Sequence, residues 1–217
     1  GVHNWHAMSY NPGTGLVYIP VHELPGHFTD KGYTAATWQS PNFYIDTGVK
    51  FLHEDVPTNA GSAALMAWDP ILKKQVWRHE LPGSWNAGTL TTAGNLVFQG
   101  RVDGKFVAYD ATSGKPLWST DAGLGISAPP VTYTVNGKQH VAVLVGWGGA
   151  GPAIGGSMNR QHGWAYRAQT RHLLSFSLEG KAKMPEQPPP VFPAPIEQAD
   201  FEVDALLAEQ GNVLWAR

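Results

Sequence analysis

Short runs of alternating apolar and polar side chains, each closed by Gly, Pro, Asn or Asp, dominate residues 1–180. That pattern predicts half-buried β-strands joined by tight turns. Residues 88–92, 95–100, 104–110 and 116–120 read as four successive strands, with Ala93-Gly94 turning the first into the second. Residues 129–135 and 138–146 form a hairpin across Asn136-Gly137, a pair that tolerates the positive φ angles of a two-residue turn. A further strand is predicted at 172–178. Near the start, Asn11-Pro12-Gly13-Thr14-Gly15 turns the chain into a strand at 16–21.

One unit recurs. Ala67-Trp68-Asp69 leads through a turn to Trp77, and Ala108-Tyr109-Asp110 leads through a turn to Trp118, the two Trp residues being 41 apart. Roughly 40–50 residues is what one four-stranded propeller blade consumes. In each copy the Asp is placed to accept turn N–H groups, as is Asp103 at another turn, so these carboxylates read as caps and not as bases. Gly114 supplies a positive φ. The first copy carries Lys73 and Lys74 in the stretch where the second has Ser113 and Gly114, so its turn is expected to differ. Trp77 and Trp118 are read as blade-to-blade packing.

Two stretches depart from the strand pattern. Residues 22–59 are rich in Pro, Gly, His and aromatics without sustained alternation, as in an inserted functional loop. Residues 181–195 form a Pro-rich, semi-rigid linker. After it, 196–210 reads as a short helix closed by Gly211. The expected fold is therefore all-β, made of four-stranded antiparallel propeller blades over 1–180, followed by the linker and the helical start of another domain at 196–217.

Composition narrows the function. The 217 residues include 25 Gly, 17 Pro and 9 Trp, only 15% are charged, and the formal net charge is −2. No basic block is present to track a phosphate backbone, so no nucleic-acid partner is expected. No apolar run is long enough to span a bilayer. Cysteine is absent, which removes disulfides, thiolate metal sites and cysteine nucleophiles from this chain. No signal peptide is visible at Gly1, which fits a mature or internal start. His3 and His6 stand at a spacing that would suit a metal on a helix, but Asn11-Pro12 and the following strand argue against a helix, so no His metal site is expected. No Gly-x-Ser-x-Gly elbow or phosphate loop occurs, and Gly123-Leu124-Gly125 is too short to mark a nucleotide site.

Three peptides carry a family resemblance. They are Asn4-Trp5-His6-Ala7-Met8-Ser9-Tyr10-Asn11-Pro12, Trp85-Asn86-Ala87-Gly88-Thr89-Leu90, and the run from His140 ending in Gly146-Trp147-Gly148-Gly149. With the eleven-residue unit around Trp118, which is similar to a tryptophan-docking motif, they resemble the quinoprotein alcohol dehydrogenases of the soluble quinohaemoprotein type. The resemblance covers nearly the whole chain. It implies an eight-bladed propeller holding pyrroloquinoline quinone (PQQ) and Ca²⁺ near its axis, of which 1–180 supplies at most about four blades. The catalytic base, the Ca²⁺ ligands and the Trp beneath the quinone would then lie upstream of Asn4, so no catalytic or metal-ligating residue is assigned here. Residues 211–217 resemble the run before the Cys-x-x-Cys-His of a cytochrome c domain, which implies haem c in a downstream domain.

Four cofactor-binding residues follow from the resemblance. Asn4 would bond the quinone through its amide, with bracing of a loop as the alternative reading. Trp5 would contact it through backbone or ring. Trp85, opening an inner strand, would offer its indole N–H at the cofactor's edge, against packing between blades. Ala150 would offer a backbone amide. The implied parent is a periplasmic enzyme that oxidises primary or secondary alcohols and passes electrons through haem c to an external acceptor. The chain alone would be inactive and, with open blade faces, poorly soluble. Two other readings remain: a non-catalytic propeller scaffold of the outer-membrane assembly type, and a PQQ sugar dehydrogenase.

Overall fold

Every element in the described part of the chain is a strand. The structure, a computed structural model, describes residues 2–24, 27–30, 34, 36, 50–52, 61–147, 171–184 and 186. The predicted helix and most of the linker lie outside these residues, and the division of the chain into domains extends beyond them.

The first sheet has the order β1-β2-β5-β6, built from β1 (Ser9–Asn11), β2 (Leu16–Glu23), β5 (Ser62–Asp69) and β6 (Lys74–Leu81). All its pairings are antiparallel. The inserted segment thus enters between the second and third strands of one blade. Inside it, β3 (His27–Thr29) pairs with β4 (Lys50–Leu52). Pairings three residues long show no period, so the sequence pattern could not reveal them.

The second sheet joins β7 (Thr89–Thr92), β8 (Leu96–Gly100), β9 (Lys105–Asp110) and β10 (Pro116–Asp121) as an antiparallel meander. Its strands fall where the alternation puts them. The third sheet has the order β11-β12-β13, with β11 (Val131–Val135), β12 (Lys138–Val145) and β13 (His172–Phe176). Asn136 (φ 50°) and Gly137 (φ 76°) both have the positive φ that a two-residue hairpin turn requires.

One expectation is overturned. The turn of the first repeat copy does not differ from that of the second. Lys73, in register with Gly114, adopts φ 52° where Gly114 has 73°. Asp69 Oδ1 accepts the N–H groups of Ile71 and Leu72 at 2.9 and 2.8 Å. Asp110 Oδ1 accepts those of Thr112 and Ser113 at 3.1 and 2.8 Å. The carboxylate cap dictates the turn in both copies, and Lys73 tolerates the left-handed backbone.

The sheets pack face to face through two cores. Leu16, Tyr18, Leu65 and Trp77 of the first sheet meet Val97, Val107 and Tyr109 of the second. Phe106, Leu124 and Ile126 meet Val141, Val143, Val145 and Leu174 of the third. The leading strands β1 and β7 are also tied edge to edge. Thr89 N donates to Ala7 O (2.8 Å), Ser9 Oγ lies 2.8 Å from Thr89 Oγ1, and Asn11 Nδ2 donates to Thr91 Oγ1 (3.1 Å). Gly88 permits this approach, because a Cβ there would sit 2.8 Å from Ala7 N. Sheets fanned about their first strands are propeller blades.

Candidate functional site

Each leading strand is entered through a short irregular segment, and these segments bring the landmark residues to one end of the blades. Asn4-Trp5-His6 precedes β1, Ser84-Trp85-Asn86 precedes β7, and Gly125-Ile126-Ser127 precedes β11. The inserted segment leaves β2 at the same end, since His22 N, at the close of β2, donates to Val2 O (2.9 Å).

Four rings meet there. Trp5 stacks on His6 with centroids 4.3 Å apart, and His22 stacks on Trp85 at 5.0 Å. The two stacks meet edge-on, His6 to Trp85 at 5.1 Å and His6 to His22 at 5.1 Å. Trp5 and Trp85 are 6.1 Å apart. Trp5 is exposed, whereas His6, His22 and Trp85 are buried.

Trp85 lies in the lead-in to the inner strand, four residues before β7, with φ 62°. A left-handed backbone costs a non-glycine residue about 1–2 kcal/mol and persists only where its surroundings over-determine it. They do here. Asn86 Nδ2 donates to Pro82 O (3.1 Å) and its Oδ1 accepts Val102 N (2.9 Å). Buried Gln99 donates to Ala87 O (2.8 Å). The indole of Trp85, carried by the lead-in to the second blade, packs on His6 and His22 of the first, and its Nε1 is buried with no partner among the described residues.

Both ring nitrogens of His6 share that condition. Burial, followed by the neighbouring His22 and His3, lowers its pKa to about 4. His22 is lowered chiefly by burial and then by His3. His3 is held otherwise, its Nδ1 donating to Pro20 O at 2.7 Å. Among the described residues no three His, Asp or Glu side chains are arranged to hold a metal ion.

Of the residues singled out from sequence, Trp5 and Trp85 share this cluster. Asn4 adjoins it on the exposed side, its Oδ1 accepting Trp5 N (2.9 Å). Ala150 lies outside the described residues. Trp147, from the third landmark peptide, is buried over Gly125, where a Cβ would come within 2.5 Å of its ring, and its Nε1 also lacks a partner among the described residues. His6 and His22 were missed as site residues. The signal for His22 was its place in the alternation, on the same face of β2 as Leu16, Tyr18 and Pro20, all buried.

Comparison with known proteins gives one consistent result. Residues 58–141 match the model of the β-propeller domain of glucose/ethanol/alcohol dehydrogenases named for PQQ. The chain is 45% identical over 206 residues to quinohemoprotein alcohol dehydrogenase ADH IIB of Pseudomonas putida, covering 94% of this chain and 29% of that protein. A solved structure of quinohemoprotein alcohol dehydrogenase ADHIIG from Pseudomonas putida HK5 superposes with a TM-score of 0.82 at 34% identity, over 96% of this chain and 31% of that one. The crystal structure of quinohemoprotein alcohol dehydrogenase from Comamonas testosteroni gives 0.69 at 41% identity, over 86% and 28%. The chain thus spans less than a third of each of these relatives.

Proposed function

Because this chain belongs to the quinoprotein alcohol dehydrogenase β-propellers, we propose that it forms one wall of the PQQ pocket in a longer enzyme that oxidises primary or secondary alcohols to aldehydes or ketones. The observation that carries this reading is the buried Trp85 indole N–H, without an acceptor among the described residues and set in a cluster of aromatic rings. Unpaired buried donors are costly, about 1–3 kcal/mol each, and are retained where a ligand completes them. PQQ is a flat ring system edged by carbonyl and carboxylate acceptors, which suits two orphaned indole donors, Trp85 and Trp147, beside stacking rings.

When bound, the quinone supplies the acceptor for the two electrons and the hydrogen that leave the alcohol carbon. This chain's own residues do the positioning. Trp85 and Trp147 donate N–H groups, Asn4 presents an amide, and Ala150 offers a backbone N–H. Trp5 contributes an apolar ring that keeps water off one side of the site. The inserted segment after β2, rooted next to His22, borders the substrate entrance.

The same reading assigns residues 1–180 to the last blades of the propeller, 181–195 to a tether, and 196–217 to the start of a cytochrome c domain. The base and Ca²⁺ ligands belong to upstream blades, so this chain alone is inactive, and the parent is periplasmic, with electrons leaving through haem c to an external acceptor. A non-catalytic scaffold or a sugar dehydrogenase is not favoured by relatives named as alcohol dehydrogenases.

The test uses the full-length protein, reconstituted with PQQ and Ca²⁺ and assayed on a panel of alcohols and sugars with an artificial electron acceptor. Alcohol-dependent reduction that requires PQQ supports the reading. A folded protein without quinone absorbance or alcohol turnover overturns it.

A further inference from the structure

The His6–His22 pair has no part in the pocket chemistry proposed above, yet the rings of both Trp5 and Trp85 rest on it. His6 is face to face with Trp5 and edge to face with Trp85, while His22 covers the face of Trp85. Neither nitrogen of His6 has a hydrogen-bond partner among the described residues, and of those residues it is the rings that hold the side chain. Trp85 needs such support, because its backbone stands in the left-handed region.

We propose that His6, braced by His22, is a positioning residue that fixes the rings of Trp5 and Trp85 for the cofactor. This rests on reading the Trp5–Trp85 wall as the cofactor's side.

The support works only with an uncharged ring. The titratable groups acting on the pair are cations when charged: His3 on both rings and His22 on His6. The one nearby carboxylate in β2, Glu23, is engaged by Ser62 and Arg78. The segment around Trp85 brings no ionisable side chain. Among the described residues a proton on buried His6 therefore finds neither water nor a counter-charge, and the ring leaves its niche when it takes one. Trp5 then loses its stacking partner and Trp85 loses an edge contact.

The experiment uses the full-length protein, cofactor-free and supplied with Ca²⁺, titrated with PQQ between about pH 7 and pH 4, with tryptophan emission of the cofactor-free protein recorded in parallel. Wild type is compared with His6→Phe, which keeps an aromatic ring but cannot be protonated, and with His6→Ala. In wild type, affinity stays flat near neutrality and has fallen about twofold at pH 4, where about half of the His6 rings carry a proton, with a red shift of emission. His6→Phe binds like wild type at pH 7 and loses both acid effects. His6→Ala binds about tenfold more weakly throughout.

If all three proteins bind and emit alike at every pH, the positioning role is wrong. It is equally wrong if acid strengthens binding in wild type and His6→Phe abolishes that gain, since His6 would then act as a charged ligand. Failure of wild type to bind PQQ at all sinks the cofactor reading instead, and the emission comparison still decides whether His6 sets the two tryptophans.

Discussion

The indole of Trp77 in the first blade occupies the space that a side chain on Gly114 of the second would need: a Cβ on Gly114 would lie 2.6 Å from Trp77 Cε3. The same indole donates Nε1–H to Ala111 O at 3.0 Å, and Tyr18 Oη donates to that carbonyl at 3.0 Å. One turn thus receives the ring face and two hydrogen bonds from the neighbouring blade. Gly114→Ala adds a clash to a left-handed backbone, and we expect it to lower stability by roughly 3 kcal/mol. Trp77→Phe keeps a ring and leaves the carbonyl its Tyr18 bond, so about 1 kcal/mol is expected. Urea unfolding of both variants gives the order, and a reversed order would mean that the hydrogen bond, not the close approach, joins the blades.

Lys73 occupies the matching turn of the first blade at φ 52° and is exposed there. Glycine relieves the left-handed strain at a modest cost in unfolded-state entropy. Lys73→Gly should therefore raise stability by up to about 1 kcal/mol. A loss in thermal unfolding would show that the lysine makes a compensating contact.

The strands were legible because their period is two and their turns carry Gly, Asn and Asp, and the Trp77/Trp118 repeat gave the blade. The likeness of the Lys73 and Gly114 turns was not legible, because reading by residue type ignores the Asp69 carboxylate that imposes the same geometry. Trp5 and Trp85 could be singled out by motif alone. Their convergence with His6 and His22 depends on pairing across blades, through Ala7–Thr89 and Val2–His22, which no local pattern encodes.

His6 also makes stability depend on pH. Its folded-state pKa lies near 4 against 6.5 when unfolded, so below about pH 6.5 the unfolded chain binds a proton that the native ring refuses. Stability is fully present above that pH, falls as pH drops through the window, and levels off below about pH 4, the full loss being roughly 3 kcal/mol. Urea denaturation at both ends of the window should give a smaller acid loss for His6→Phe than for wild type. Equal losses would mean that His6 is hydrated in the native state.

The third sheet buries Val141, Val143 and Val145 against the second, but its other face leaves Val131, Tyr133, Leu144 and Leu173 exposed, Leu173 at 69%. Register places Leu144 opposite Leu173 and Val131 opposite Ala142 on that face. Such an apolar face drives association when the chain is produced alone. Leu144→Lys combined with Leu173→Glu should shift the isolated chain toward monomer in size-exclusion chromatography while leaving its unfolding midpoint nearly unchanged. Unaltered aggregation would put the sticky surface elsewhere.

Trp85→Phe separates the two readings of the site, because they predict opposite balances. The indole Nε1 is buried and unpaired among the described residues, so removing it from the cofactor-free protein should cost little and can stabilise, the relieved penalty of about 1–3 kcal/mol offsetting lost packing. If that N–H is kept for the quinone, the same change weakens PQQ binding by about ten- to a hundredfold. Asn4→Ala, on the exposed side, should likewise weaken binding, losing only the Oδ1 contact to Trp5 N in the free protein. Calorimetry on the cofactor-free full-length protein and a PQQ titration measure the two quantities independently. Should Trp85→Phe destabilise the free protein by several kcal/mol and bind PQQ as wild type does, Trp85 is a packing residue between blades and the cofactor lies elsewhere.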